Sequence, residues 1–114
     1  MSAITTHVLD TMTGLPGAGI SVVLERKTHS SGWQVIAEGM TNDDGRANDL
    51  MAATDEFETG HYRLTFETGV YFASKNIQCF FPQVIVSFVV RDALKHHHVP
   101  LLLSPYSYST YRGS

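Results

Sequence analysis

Short runs rich in Val, Ile, Tyr and Phe recur between turn signals along most of this chain. That rhythm is the pattern of a β-sandwich, not of alternating helices and strands. Thr5–Asp10 opens the series, and Thr13-Gly14-Leu15-Pro16-Gly17 breaks it with glycines free to take positive φ and a proline that withholds a backbone donor. In Ile20–Lys27, Ser21, Val23 and Glu25 alternate with Val22, Leu24 and Arg26; Ser30-Ser31-Gly32 then turns the chain and Trp33–Met40 returns antiparallel as a hairpin. Asn42-Asp43-Asp44-Gly45 is a dense turn signal, so Arg46, which starts a short segment reaching Leu50, belongs near a rim.

His61–Phe66 alternates as a strand, and Tyr71, Phe72 and Lys75 are spaced for two turns of helix over Thr68–Asn76, with Thr68 as its cap. Val84–Val90, Lys95–Leu103 and Tyr106–Tyr111 complete the strands, with Ser104-Pro105 between the last two. The expected architecture is all-β: a two-sheet sandwich of seven to eight strands with one short helix. The largest polar loop, near Ala52–Gly60, is ordinary for such a domain. A chain of 114 residues without repeats or low-complexity tracts is expected to form one domain, 1–114.

Charged residues make up 17% of the chain and the net charge is −3, so no basic surface is expected to engage nucleic acid or an anionic membrane. The longest apolar stretches, Val84–Val90 and Val99–Leu103, fall far short of the roughly 20 residues a membrane-spanning helix needs. The single cysteine, Cys79, has no partner for an internal disulfide and is expected to pack as a small apolar group. The opening Met1-Ser2-Ala3-Ile4-Thr5-Thr6-His7 carries neither a basic nor an apolar export region, which predicts an intracellular protein.

Six histidines are more than a core of this size needs, and three of them are consecutive: His96, His97 and His98. Along a strand His96 and His98 share one face while His97 points to the other. Two such imidazoles can bind zinc, although no cysteine pair supports a metal site and a third ligand would have to come from His7 or a carboxylate. The plainer alternative is solvated residues on an exposed sheet face, and this is the expectation for His29, His61 and His97. A metal-free hydrolytic site needs a group near neutral pKa to deprotonate water and a cation to hold the anion formed at a carbonyl, which histidine and Arg46 could supply. For Arg46 the competing expectation is a surface ion pair with Asp43, Asp44 or Asp49. No serine stands in a nucleophile-elbow pattern. The tail Tyr111-Arg112-Gly113-Ser114 would ordinarily fray, but a strongly β-forming strand ends just before it and could hold it at a sheet edge.

The segment from His96 through His98-Val99-Pro100-Leu101-Leu102-Leu103-Ser104-Pro105-Tyr106-Ser107-Tyr108-Ser109-Thr110-Tyr111-Arg112-Gly113-Ser114 closely resembles the C-terminal signature of the 5-hydroxyisourate hydrolases. His7-Val8-Leu9-Asp10 with Gly14-Leu15-Pro16-Gly17-Ala18 resembles the family's N-terminal signature, and Asp44-Gly45-Arg46 its central one. Gly60-His61-Tyr62-Arg63 and Phe80-Phe81-Pro82 also fit, so the resemblance spans nearly the whole chain. It implies a transthyretin-like sandwich and ring-opening hydrolysis of 5-hydroxyisourate to 2-oxo-4-hydroxy-4-carboxy-5-ureidoimidazoline in urate degradation, with no metal or organic cofactor. It also implies a homotetramer, a dimer of dimers, with sites where subunits meet.

Carried over by motif, the resemblance assigns His7, Arg46, His98 and Ser114 to catalysis, and His7, Arg46, Tyr111, Arg112, Gly113 and Ser114 to substrate binding. His98 and His7 would move protons, Arg46 would hold the oxyanion, and Ser114 would hydrogen-bond substrate or water. The family commonly has tyrosine where this chain has His97. The competing reading is a transthyretin-type carrier, which shares Ser104-Pro105-Tyr106-Ser107-Tyr108-Ser109-Thr110 but lacks the His7, Arg46 and His98 set. Eukaryotic members of the family can be peroxisomal; Arg112-Gly113-Ser114 is not the Ser-Lys-Leu type of address, which leaves the cytoplasm as the expected compartment.

Overall fold

The computed structural model describes residues 2–52 and 56–114. Nine strands and one helix follow in order: β1 (Ile4–Asp10), β2 (Leu15–Pro16), β3 (Ser21–Lys27), β4 (Trp33–Met40), β5 (Arg46–Ala47), β6 (Gly60–Phe66), α1 (Thr68–Ala73), β7 (Val84–Val90), β8 (His97–Leu103) and β9 (Tyr108–Thr110). The short β5 falls at the start of the segment expected from Arg46, and the strand outside the expectation is the two-residue β2, too short to show as alternation. One sheet runs β2-β1-β8-β9, with β5 also paired to β1; the other runs β4-β3-β6-β7. The predicted hairpin is β3–β4, with a bulge at Leu24/Glu25 and Ser31 at φ 69° in its turn.

The core lies between the sheets. Ile4, Thr6, Val8 and Asp10 of β1 point inward, as do Val99, Leu101 and Leu103 of β8, and they meet Val22, Leu24, Tyr62, Leu64, Phe66, Val84 and Val86 of the other sheet. The side chains between the inward ones, among them Thr5 and His7 of β1 and His98 of β8, therefore lie on the outer face of the first sheet. No helix is long and apolar enough to cross a membrane among the described residues.

Several boundaries differ from the expectation. α1 ends at Ala73 and not Asn76, which takes φ 57°; its N-cap is Glu67, without a side-chain cap. Thr68 is instead buried, with its hydroxyl unpartnered. The segment after Arg46 stays a strand only to Ala47, the tail strand is Tyr108–Thr110, and β8 begins at His97. The loop expected over 52–60 falls partly outside the described residues. Cys79 is half-buried, its thiol 3.5 Å from the Phe81 carbonyl oxygen.

Asp10 is a buried carboxylate that ties the end of β1 to the helix. One oxygen accepts the Tyr71 hydroxyl at 2.8 Å, and the other accepts the Met12 and Thr13 amides at 3.0 and 3.3 Å. Burial and the Asp10 charge both push the Tyr71 hydroxyl pKa up, so it stays a donor. Tyr71→Phe leaves this buried carboxylate short of a donor and is expected to lower stability by about 2 kcal/mol, read as an earlier urea midpoint with an unchanged m-value.

Candidate functional site

Arg46 is brought to the outer face by the turn before it. The Asn42 side-chain oxygen accepts the amides of Asp44 at 2.9 Å and Arg46 at 3.0 Å, closing an Asx-type turn. Gly45 sits at φ 76°, where a Cβ would lie 2.4 Å from the Val8 carbonyl oxygen, so only glycine allows this approach. Its own carbonyl accepts the Val8 amide at 2.7 Å. β5 is thereby clamped to β1 with Arg46 directly opposite His7. The expected ion pair of Arg46 with an aspartate is absent among the described residues, where the ion pairs are Arg26 with Glu58 and Arg63 with Glu25.

β8 lies parallel to β1, placing His98 opposite Thr5 and Pro100 opposite His7. The Thr5 hydroxyl oxygen lies 2.8 Å from His98 Nδ1 and 2.9 Å from His96 Nε2. Sequence reasoning passed over Thr5, because a threonine in a strand is unremarkable and its neighbours come from a strand 93 residues away. His96 and His98 do share a face, their rings stacked 6.3 Å apart. No group of three or more His, Cys, Asp or Glu with metal-binding geometry occurs among the described residues.

His97 departs from expectation. Its sequence context predicts a solvated ring, yet it is only 6% exposed and packs against Phe57, because the face opposite His98 is the core. Its Nδ1 has no hydrogen-bond partner, and burial first, then the charge of Arg112, pushes its pKa down. His29 is exposed; His61 is half-buried, edge-on to Trp33.

The tail is folded back. The Gly113 amide donates to the His98 carbonyl at 2.8 Å, pairing the two residues. Ser114 then lines a cavity of about 280 Å³ with Thr5, Arg46, Asn48, His96 and His98. Tyr111 and Arg112 line a neighbouring cavity of about 330 Å³ that also reaches His98 and is bounded by Phe88 and Arg91. His7, Arg46, His98 and Ser114 thus gather on one face, while Tyr111 and Arg112 flank it.

Burial, followed by the charges of Arg46, His96 and His7, holds the His98 pKa below the ordinary histidine value, with a hydrogen bond to the Thr5 backbone opposing. A half-buried imidazole kept neutral beside a guanidinium is suited to take a proton from water. Gly113 supports the ring from the other side: a Cβ there would stand 2.6 Å from His98 Cδ2 and 3.1 Å from Pro100 Cγ. Gly113→Ala must therefore push the ring or the tail aside. We expect turnover to fall about tenfold in that variant, with the thermal midpoint little changed because the crowding is confined to the tail and the outer face, away from the core between the sheets; turnover equal to the parent's would show that the ring tolerates displacement.

Residues 4–113 match the model of the HIUase/Transthyretin family. A relative from Salmonella dublin named 5-hydroxyisourate hydrolase is 47% identical over 108 residues, covering 95% of this chain and 78% of the relative. The structure of Klebsiella pneumoniae 5-hydroxyisourate hydrolase superposes with a TM-score of 0.84 at 38% identity, covering 97% of this chain and 98% of that one. Sea bream transthyretin in complex with thyroxine gives a higher TM-score, 0.92, at lower identity, 29%, over 98% of this chain and 95% of that one. Backbone likeness and sequence likeness thus favour different relatives, and the distinction falls to the side chains of the outer face.

Proposed function

Because the chain belongs to the HIUase/Transthyretin family, we propose that it hydrolyses 5-hydroxyisourate to 2-oxo-4-hydroxy-4-carboxy-5-ureidoimidazoline in urate degradation. The observation that carries this reading is the cavity in which a pKa-lowered imidazole, His98, faces a guanidinium, Arg46, with Ser114 folded back beside them. A hormone-binding channel has no need of an imidazole, a guanidinium and a hydroxyl converging on one small volume, whereas addition of water to a carbonyl uses all three.

In this reading His98, assisted by His7, deprotonates the attacking water as it adds to a ring carbonyl. The proton is then returned to the departing ring nitrogen, so the ring opens with no net proton change at the imidazoles. Arg46 holds the oxygen that gains charge, and Ser114 orients substrate or water. Tyr111, Arg112 and Gly113 bound the site and bind the rest of the substrate.

The active assembly is proposed to be a homotetramer with sites at subunit contacts. Two features support it: β7 and β9 end their sheets with no strand partner on their outer edges among the described residues, and Ile85, Val89 and Tyr108 are 40 to 48% exposed along them. Sedimentation at micromolar concentration should give a mass four times that of the chain.

The function is tested by generating 5-hydroxyisourate in situ from urate with urate oxidase and following its ultraviolet decay. Accelerated decay that survives chelator treatment supports a hydrolase without an essential metal. No acceleration by the assembled protein, together with saturable thyroid-hormone binding, would replace the reading with that of a carrier.

A further inference from the structure

The Thr5 hydroxyl is 2% exposed as a residue and stands between two imidazole nitrogens, His98 Nδ1 at 2.8 Å and His96 Nε2 at 2.9 Å. A hydroxyl has one hydrogen to give. When both rings are neutral, only two arrangements satisfy both contacts and also give that buried hydrogen an acceptor within the trio. Either His96 donates to the oxygen and the hydroxyl donates to His98 Nδ1, or His98 Nδ1–H donates to the oxygen and the hydroxyl donates to His96. The first protonates His98 at Nε2 and leaves it no lone pair for the cavity. The second leaves Nε2 bare.

One feature selects the second, and a further one permits it. The Arg46 guanidinium lines the same cavity as His98, and a nearby cation favours a lone pair over an N–H facing it. His96 is exposed, so its Nδ1–H, required when Nε2 accepts, is satisfied by water. The other groups around His98 are His7 of β1, Ser114 at the tail and, from the neighbouring cavity, Tyr111 and Arg112, and Gly113 closes the Cδ2 edge of the ring, leaving Thr5 to fix its Nδ1 side.

We propose that Thr5 is a positioning residue for the hydrolysis: its hydroxyl, anchored on His96, holds His98 as the Nδ1–H tautomer, with Nε2 aimed into the cavity as the proton acceptor. This rests on the reading of His98 as the base, but the tautomer is a property of the substrate-free protein and is measurable without turnover. Which nitrogen of a histidine is protonated is set by the hydrogen bond the other one makes, and here that bond comes from a residue with no chemistry of its own.

The test is a long-range ¹H–¹⁵N spectrum of the His98 ring in the whole protein at a pH where it is neutral, in parent, Thr5→Val and Thr5→Ser, beside turnover of each. The parent should show protonated Nδ1 and bare Nε2. Thr5→Val keeps the shape, loses the bridge, populates the Nε2–H form and drops kcat about tenfold, the worth of one hydrogen bond holding a catalytic group. Thr5→Ser should restore the tautomer and most of the rate. A parent His98 already in the Nε2–H form would overturn the proposal, as would a Thr5→Val protein that loses activity with its tautomer unchanged, since the hydroxyl would then matter only for packing. Absence of turnover in the parent, with the expected tautomers intact, would instead tell against the hydrolase reading and leave the control of His98 by Thr5 standing.

Discussion

His98→Ala should lower kcat for 5-hydroxyisourate by roughly 2 to 4 decades, the usual worth of a positioned acid–base group, while leaving the fold intact. The second half follows from where the side chain lies. His98 is on the outer face of its sheet, and its backbone contacts, the β1 pairing and the Gly113 amide on its carbonyl, survive truncation. Its neighbours in β8, Val99 and Leu101, carry the packing. The pH profile of the parent should support the same assignment. Burial and the charges of Arg46, His96 and His7 disfavour the imidazolium, so the acid limb of kcat/KM should fall away below the ordinary histidine value. Activity is present above that point and lost as the pH drops through it. A parent-like rate in His98→Ala, with the uncatalysed decay subtracted, would remove His98 from the mechanism and shift the role of base to His7.

The two sheets were legible because period-two alternation depends only on having one wet and one dry face, and β1, β3, β6, β7 and β8 all appear where Val, Ile, Leu and aromatic residues predicted them. What alternation does not say is which of two polar faces is wet. In His96-His97-His98 it correctly separates the middle ring from its neighbours, but the core lies on the side where a histidine was least expected, and His97 is buried against Phe57. The spacing marks the start of the helix and overruns its end, because Lys75 and Asn76 continue it while the chain leaves the helix after Ala73 and reaches a left-handed residue at Asn76. Thr68 looked like a cap by residue type, yet tertiary packing buried it.

The outer-face site was legible in part through resemblance and hardly at all through local pattern. His7, Arg46 and His98 lie on three strands whose adjacency depends on a parallel pairing between residues some 90 positions apart, which periodicity cannot supply. The ordering of the tail has a visible cause only in three dimensions: Gly113 lacks the Cβ that would strike His98, and so its amide can reach the His98 carbonyl. Thr5 had no local signal; what could have found it is the register, since the residue opposite His98 on the neighbouring strand is fixed once β1 and β8 are known to pair in parallel.

Arg46→Lys separates charge from geometry and is the second large effect. The substitution keeps a cation on β5 opposite His7, so a requirement for positive charge alone would leave turnover nearly intact. The proposed role asks for more: a planar group with several donors in fixed positions, two of which can meet the oxygen that gains charge as water adds to the carbonyl. An ammonium on a flexible stem supplies a single point of attraction and loses that alignment. Arg46 also carries no described ion pair that would compete for its donors, and Gly45 and the Asn42 turn hold its backbone in place, so the guanidinium is available to the cavity. We expect kcat to fall by about 10²- to 10³-fold, the usual worth of an oxyanion donor, with a smaller change in KM, because the interaction strengthens as charge develops. A rise in KM at constant kcat would mean that Arg46 binds substrate and transition state alike and would reassign it from stabilising the oxyanion to recognising the ring. Turnover unchanged in both parameters would leave the site without an electrophilic partner for His98, and the hydrolytic reading of the cavity would have to be rebuilt around the flanking Arg112.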